Sequence, residues 1–145
     1  LENGDCDLAI SCFTEAIRTN PKRVKAYVWR GLAYFEKGKY GHAISDYDEA
    51  LRLDPDYPSA YYERGLTHME KGDYGSAVGD FTKRLELGPR TSCALCYRAF
   101  CMARQGAEGE AERGYAEARL LGPDHAPEHM ARAYKCGDAG RLAGR

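Results

Sequence analysis

Apolar and polar residues alternate along the chain with the period of amphipathic α-helices. In one stretch, Tyr27, Gly31 and Tyr34 stand at i, i+4 and i+7, so they share one helix face. A Gly-Lys break follows at residues 38–39, and a second apolar face begins at Tyr40. Two helices joined by a tight turn are therefore predicted here, and the same pattern recurs along the chain.

The positions of the prolines support an all-α fold. All six prolines fall in predicted connectors or first turns, where a missing N–H does not interrupt a helix. Asp54 precedes Pro55 and so ends its helix, because the residue before a proline is disfavoured in the α region. The predicted helices are Asp5–Thr19, Val24–Lys37, Tyr40–Leu53, Pro58–Lys71, Tyr74–Leu87, Ser92–Gln105, Glu108–Leu121 and a shorter one at Ala126–Cys136.

These helices recur with a period of 34 residues, which columns of prolines, alanines, aromatics and glycines mark in register. A period of this length is typical of helix–turn–helix units that stack into a solenoid. We therefore predict one solenoid over residues 1–145. It divides into a half repeat that has only a second helix (1–21), repeats at 22–55, 56–89 and 90–123, and a C-terminal capping helix with a stub (124–145).

The columns resemble the tetratricopeptide repeat. Nearly the whole chain follows that pattern, although Arg84 replaces a small residue, which predicts a local splay or a side chain that extends to solvent. The resemblance implies a right-handed superhelical solenoid of antiparallel helix pairs with about 3.5 repeats, and a role as a protein-interaction scaffold. One full match to the pattern is Tyr27, Gly31, Tyr34, Ala43, Tyr47, Ala50 and Pro55.

A charged pattern accompanies the repeat. Arg30 and Arg64 are each followed sixteen residues later by an acid, Asp46 and Asp80 respectively. We predict that these arginines form ion pairs between the two helices of a repeat or between adjacent repeats. In the next unit a glycine takes the acidic position, so Arg98 is expected to use another partner, such as Asp80.

Composition narrows the range of partners. The 21 Lys and Arg residues balance 22 Asp and Glu residues, so the chain lacks the basic excess of nucleic-acid or anionic-membrane binders. No run of apolar residues is long enough for a transmembrane helix. We expect a protein or peptide partner, with neither nucleic acid nor membrane.

The six cysteines occupy unrelated positions in the repeat, which favours reduced thiols and a cytoplasmic, reducing location over a disulfide framework. Cys93 and Cys96 form a CxxC pair, but no second pair of ligands has zinc-site spacing. Structural thiols are the preferred interpretation, and metal or redox chemistry is the alternative.

No catalytic motif is present in the sequence. It lacks a nucleophile elbow and a phosphate-binding loop, and Pro127 interrupts the possible metal pair His125 and His129. We therefore expect a protein that is not an enzyme and that binds no cofactor and no metal.

The resemblance places the first helix of each repeat on a concave wall. The ligand positions there are unusually apolar, and such a surface usually marks an interaction site. An apolar groove for an amphipathic helix or extended peptide is predicted. Alternatively, the chain's own ends or tighter superhelical packing cover this stripe. The predicted groove residues are Lys25, Val28, Trp29, Leu32, Phe35, Tyr62, Glu63, Leu66, Met69, Tyr97 and Phe100.

Members of the family that bind chaperones hold a C-terminal carboxylate with lysines, asparagines and an arginine. None of these residue types stands at the matching positions here, and Glu63 would repel a carboxylate. A chaperone tail is therefore not an expected ligand. The five positions hold Val28, Leu32, Glu63, Cys93 and Tyr97.

The incomplete ends suggest a second function. The unpaired first helix carries an apolar face, which could dock on other copies or extend a larger solenoid. Homo-oligomerisation or a structural segment of a larger protein is therefore the alternative to an adaptor, and a regulatory array of a larger enzyme is a third. That face comprises Leu8, Ile10, Phe13 and Ile17.

Overall fold

The computed structural model describes residues 3–122, which form an all-α solenoid of seven helices. The helices predicted in this range are confirmed; three have the predicted bounds and the other four differ by one or two residues at one end. The predicted capping helix at 126–136 lies outside the described residues. The helices are α1 (Asn3–Thr19), α2 (Val24–Glu36), α3 (Tyr40–Leu53), α4 (Pro58–Glu70), α5 (Tyr74–Leu87), α6 (Ser92–Arg104) and α7 (Glu108–Leu121).

Each repeat pairs a first helix, called A (α2, α4 or α6), with a second helix, called B (α3, α5 or α7). Gly38, Gly72 and Gly106 join A to B with φ values of 71°, 80° and 84°. Because this left-handed region is costly for residues with a Cβ atom, glycine ends each A helix and turns the chain.

Small residues on the A helices let the B helices approach closely. An added Cβ on Gly31 would lie 2.6 Å from Cε1 of Tyr47, and one on Gly65 would lie 3.1 Å from the Phe81 ring. Tyr47 and Phe81 are both 0% exposed, so these rings fill the space that the missing side chains leave. The glycine column therefore sets the spacing within the pair.

The predicted ion pairs of Arg30 and Arg64 are confirmed. Arg64 Nε and Nη2 donate to Asp80 at 2.9 and 2.7 Å, and its Nη1 donates to Asp48 of the preceding repeat at 2.7 Å. Arg30 likewise bonds Asp46 twice, at 2.8 and 2.6 Å. These hydrogen bonds raise the pKa of both arginines. Arg64 thus joins three helices, α3, α4 and α5.

The third repeat lacks this arrangement. Asp80 is already held by Arg64, so it does not serve as the alternative partner predicted for Arg98. Within residues 3–122, Arg98 forms no ion pair, and burial together with nearby Arg90 lowers its pKa. The prediction for Arg98 is wrong because Arg64 occupies both carboxylate oxygens of Asp80.

Arg84 makes a substitute contact. Tyr27 and Tyr61 donate their hydroxyls to the carbonyls of Pro21 and Pro55 at 3.0 and 2.9 Å. A leucine takes this position in the third repeat, and there Arg84 Nη1 donates to the Pro89 carbonyl at 3.1 Å instead. The half-buried arginine therefore extends outward to the connector at Pro89. Of the two alternatives predicted for Arg84, this agrees with the side chain that extends away from the helix pair.

The A helices also contact one another in series, α2 with α4 and α4 with α6. They form a continuous surface, called here the A-helix wall: the faces of α2, α4 and α6 that carry the predicted groove residues. Among the helices described between residues 3 and 122, none combines the length and apolar character needed to cross a membrane.

Candidate functional site

The A-helix wall carries a line of partly exposed apolar side chains. Trp29 on α2 is 53% exposed and belongs to neither of the two hydrophobic cores. The other members of the line are half-buried, so each rests on the fold and offers part of its surface. They are Leu32, Phe35, Tyr62, Leu66, Met69 and Phe100.

Two predicted groove residues lie beneath the surface of the wall. Val28 is buried in the core formed by α2, α3 and α4, and Tyr97 is buried against the rings of Tyr62 and Phe81. The prediction that both offer surface to a ligand therefore needs correction. Tyr97 packs on rings of the preceding repeat and Val28 lies in the core shared with α3 and α4, so both side chains support the wall from below.

Glu63 occupies a position that the next repeat gives to an aromatic ring. It lies 34 residues before Tyr97, which packs on its neighbours in the core. The Glu63 side chain is consequently half-buried, and burial together with the nearby Glu36 carboxylate raises its pKa to about 7. Across residues 3–122 Glu63 takes part in no ion pair.

A buried hydroxyl lies in the same region. Burial, and after it the charge of the Glu63 carboxylate, raises the pKa of the Tyr47 hydroxyl. Thr67 lies nearby and donates to the Glu63 carbonyl at 2.8 Å, but it does not meet the Tyr47 hydroxyl in normal hydrogen-bonding geometry. Tyr47 therefore holds a buried polar atom that no described residue satisfies.

The remaining charges on the wall are unevenly distributed. Three acids, Glu36, Glu63 and Glu70, occupy α2 and α4, whereas Lys25 stands at the beginning of α2 and Arg104 at the end of α6. The Arg104 guanidinium lies 5.3 Å from the centre of the Tyr74 ring. The acids of the wall therefore lie on α2 and α4, and the two cations lie on its outer helices, α2 and α6.

A second apolar surface lies on α1. Phe13 stands in the same column as Tyr47 and Phe81, yet it is only half-buried, since α1 has no A helix of its own repeat among the described residues. Leu8 is 66% exposed, whereas Ile10 and Ile17 are half-buried. The predicted apolar face of α1 is thus partly exposed, with Leu8 the most exposed of its members.

The described residues offer no cluster of three or more His, Cys, Asp or Glu side chains able to hold a metal ion. Cys96 and Cys101 of α6 are buried and Cys93 is half-buried. Burial raises the pKa of the Cys101 thiol to about 12, which disfavours the reactive thiolate. His125 and His129 lie outside the described residues.

Comparison with known proteins agrees with this geometry. The family model described as TPR repeat matches residues 31–72, and the one described as Tetratricopeptide repeat matches residues 58–89. Together the matches cover residues 31–89, which lie in the first two complete repeats. The repeats and their structural neighbours support a scaffold for protein–protein interaction.

Solved structures of similar shape include a MamA protein, with a TM-score of 0.74, 23% identity, and coverage of 78% of this chain and 62% of that one. YrrB, described as a TPR protein with an unusual peptide-binding site, gives a TM-score of 0.71 and 24% identity. That match covers 76% of this chain and 57% of YrrB. The chain thus spans less than two thirds of either protein. At these identities the likeness establishes the fold alone.

No curated protein matches the chain significantly. The assignment therefore rests on the two family models and on the fold. The glycine turns, the small-residue columns, the seven paired helices and the matches over residues 31–89 agree with one another. Residues 31–89 therefore belong to the tetratricopeptide repeat family, and residues 3–122 have its fold.

Proposed function

We propose that the chain is a non-catalytic adaptor that binds a segment of a partner protein on its A-helix wall. The observation that carries this proposal is the exposure of Trp29 beside a line of half-buried apolar residues on three helices. Tryptophan is among the residues that contribute most to binding energy at protein interfaces. A contiguous apolar surface that is exposed to solvent usually marks an interaction site.

The bound segment is an amphipathic helix or an extended peptide with apolar side chains. Either form can place alternate or helically spaced anchors against the line from Trp29 to Phe100. YrrB, a structural neighbour of similar fold, is described as having a peptide-binding site, which supports this class of ligand.

The experiment is the selection of displayed peptides on the purified chain, repeated with Trp29→Ala. Trp29 packs in neither core, so its removal changes the surface while the fold is retained. Leu120→Ala is the matched control, because Leu120 on α7 is 88% exposed and lies away from the A-helix wall. Loss of binding in the Trp29 variant alone supports the adaptor. Equal binding by all three proteins refutes this site.

Self-assembly or extension of a larger solenoid through α1 is the second candidate. The observation in its favour is that Phe13 stays half-buried, although Tyr47 and Phe81 in the same column are fully buried. In the repeat register Trp29 corresponds to Tyr97, which packs on the ring of Phe81. A helix docked on α1 would therefore cover Phe13 and Trp29 together.

Sedimentation velocity separates the two candidates. Self-assembly predicts a concentration-dependent dimer or larger species that Phe13→Ser abolishes, whereas the adaptor predicts a monomer at all concentrations. Leu66→Ser is the complementary variant, because Leu66 on α4 belongs to the A-helix wall and not to the α1 face. It should leave self-assembly through α1 unchanged and weaken peptide binding on the wall.

A further inference from the structure

The middle of the A-helix wall combines apolar surface with an uncompensated carboxylate. Glu63 is half-buried, and the nearest charge that affects it is another acid, Glu36. The adjacent Arg64 cannot neutralise it, because its three donating nitrogens are committed to Asp80 and Asp48. The fold therefore supplies Glu63 with no cation from the described residues.

This arrangement costs stability that a different residue would avoid. The next repeat fills the same position with Tyr97, which packs in the core and stacks on Phe81 at a ring-centre distance of 5.7 Å. An aromatic ring at position 63 would remove the desolvation penalty of a half-buried carboxylate. Glu63 instead presents an anion within an apolar surface.

The polar surroundings of Glu63 also contain a second unsatisfied group. The Tyr47 hydroxyl beneath the wall is fully buried and has no hydrogen-bond partner among the described residues. Burial, together with the charge of the Glu63 carboxylate, raises the pKa of this hydroxyl. The middle helix of the wall thus carries a carboxylate without an ion pair, and the core beneath the wall holds a hydroxyl without a hydrogen-bond partner.

We propose that Glu63 determines the specificity of the A-helix wall by selecting a partner segment in which a Lys or Arg side chain stands among apolar residues. The ammonium or guanidinium group pairs with the Glu63 carboxylate, and the flanking apolar side chains cover Trp29 and Leu66. This inference rests on the proposed adaptor function. Charge complementarity carries it, because Glu36 and Glu70 add to the same negative region.

Binding of such a segment depends on pH. The titratable groups around Glu63 are Glu36 on α2, Tyr47 on α3, Tyr62 on α4 and Tyr97 on α6. Burial raises the pKa of all three tyrosines, so they stay neutral near pH 7. The pKa of Glu63 is about 7, so its charge increases between pH 6 and pH 8 and strengthens the pairing.

The test uses a displayed library of peptides of about 15 residues, long enough for four helical turns, with Leu and Ala on one face and one randomised central position. The chain and its Glu63→Gln variant are selected in parallel at pH 8. Glu110→Gln is the matched control, since it removes the same charge from an exposed position on α7.

We expect Lys and Arg at the randomised position for the unmodified chain and for Glu110→Gln, and no preference for Glu63→Gln. For one selected lysine peptide, fluorescence anisotropy should show about tenfold weaker binding when Lys becomes Gln, and a similar loss from pH 8 to pH 6. Glu63→Gln should show neither effect.

The remaining outcomes each overturn the inference. Peptide capture with no charge preference refutes the role of Glu63 and leaves the adaptor function standing. A lysine preference that persists in Glu63→Gln assigns recognition to another acid on the wall. Failure of the unmodified chain to capture any peptide overturns the adaptor function and this inference together.

Discussion

The Cβ of Ala99 on α6 lies 3.0 Å from where a Cβ on Gly114 of α7 would stand. In the preceding repeat the pairing is reversed: Gly65 is on the A helix, and the Cβ of Asp80 on the B helix lies 3.3 Å from the missing side chain. A methyl group on one helix therefore occupies the space that an acid needs on the other. This packing explains why Arg98 has no carboxylate at the expected position.

The first prediction restores that ion pair. Gly114→Asp alone should destabilise the chain by about 1–3 kcal/mol, because its Cβ overpacks against Ala99. Adding Ala99→Gly should clear the space and let the carboxylate reach Arg98. The double variant should therefore be more stable, by about 1–3 kcal/mol, than the sum of the two single effects predicts. Urea unfolding of the four proteins measures this coupling, and strict additivity would show that Ala99 is not the obstruction.

A second prediction concerns helix spacing. Gly31→Ala should destabilise the chain by about 1–3 kcal/mol, since the new methyl group would lie 2.6 Å from the ring of Tyr47. Gly79→Ala provides the control, because Gly79 lies in the middle of α5 with no atom within 4 Å of the added Cβ. It should instead stabilise by up to about 1 kcal/mol through helix propensity. Equal responses in thermal unfolding would contradict the packing argument.

The ion pair of Arg64 should contribute measurably to stability. Arg64→Ala leaves the buried Asp80 carboxylate without its two hydrogen bonds and should cost about 3 kcal/mol. The exposed Asp48 bonds the same arginine, yet Asp48→Asn should cost less than about 1 kcal/mol. Chemical denaturation measures both, and a loss for Asp48→Asn as large as for Arg64→Ala would contradict this ranking.

Much of the fold follows from the sequence because each structural requirement recurs every 34 residues. Gly38 and Gly72 mark the turns, and Pro55 marks a connector, so the predicted bounds of α3 and α5 are confirmed. The sixteen-residue spacing also predicts the Arg30 and Arg64 ion pairs, since it links fixed positions of two packed helices. These features depend on one repeat at a time.

The exposure of the wall was harder to predict because it depends on the neighbouring repeat. Val28 and Tyr97 occupy ligand positions of the pattern, yet adjacent helices bury them. The burial of Glu63 was also missed, although its place in the column of Tyr97 gave the signal. That column also holds the exposed Trp29, so burial at these positions depends on the neighbours of each repeat and not on the column alone.

Glu63 should make folding stability depend on pH. Its pKa is about 7 in the folded chain against an ordinary value of 4.5, so the folded state retains a proton that the unfolded state has released between these pH values. The contribution of this group to the free energy of unfolding therefore falls as pH rises from about 4.5 to about 7, by up to about 3 kcal/mol.

Glu63→Gln should remove that slope. The difference in unfolding free energy between Glu63→Gln and the unmodified chain should grow in favour of the variant from pH 5 to pH 8. Glu86→Gln is the control, because Glu86 is exposed on α5 and its removal should leave the pH profile nearly unchanged. Parallel profiles for all three proteins would contradict a half-buried, destabilised carboxylate.

Fluorescence of Trp29, the single tryptophan of the chain, tests the central claim most directly. Emission is recorded at low protein concentration during titration with a lysine-containing peptide selected on the unmodified chain. Burial of the exposed indole by the bound segment should give a saturable blue shift. The affinity read from this titration should be about tenfold weaker in Glu63→Gln. Peptide binding detected by anisotropy without any change in Trp29 emission would contradict the account.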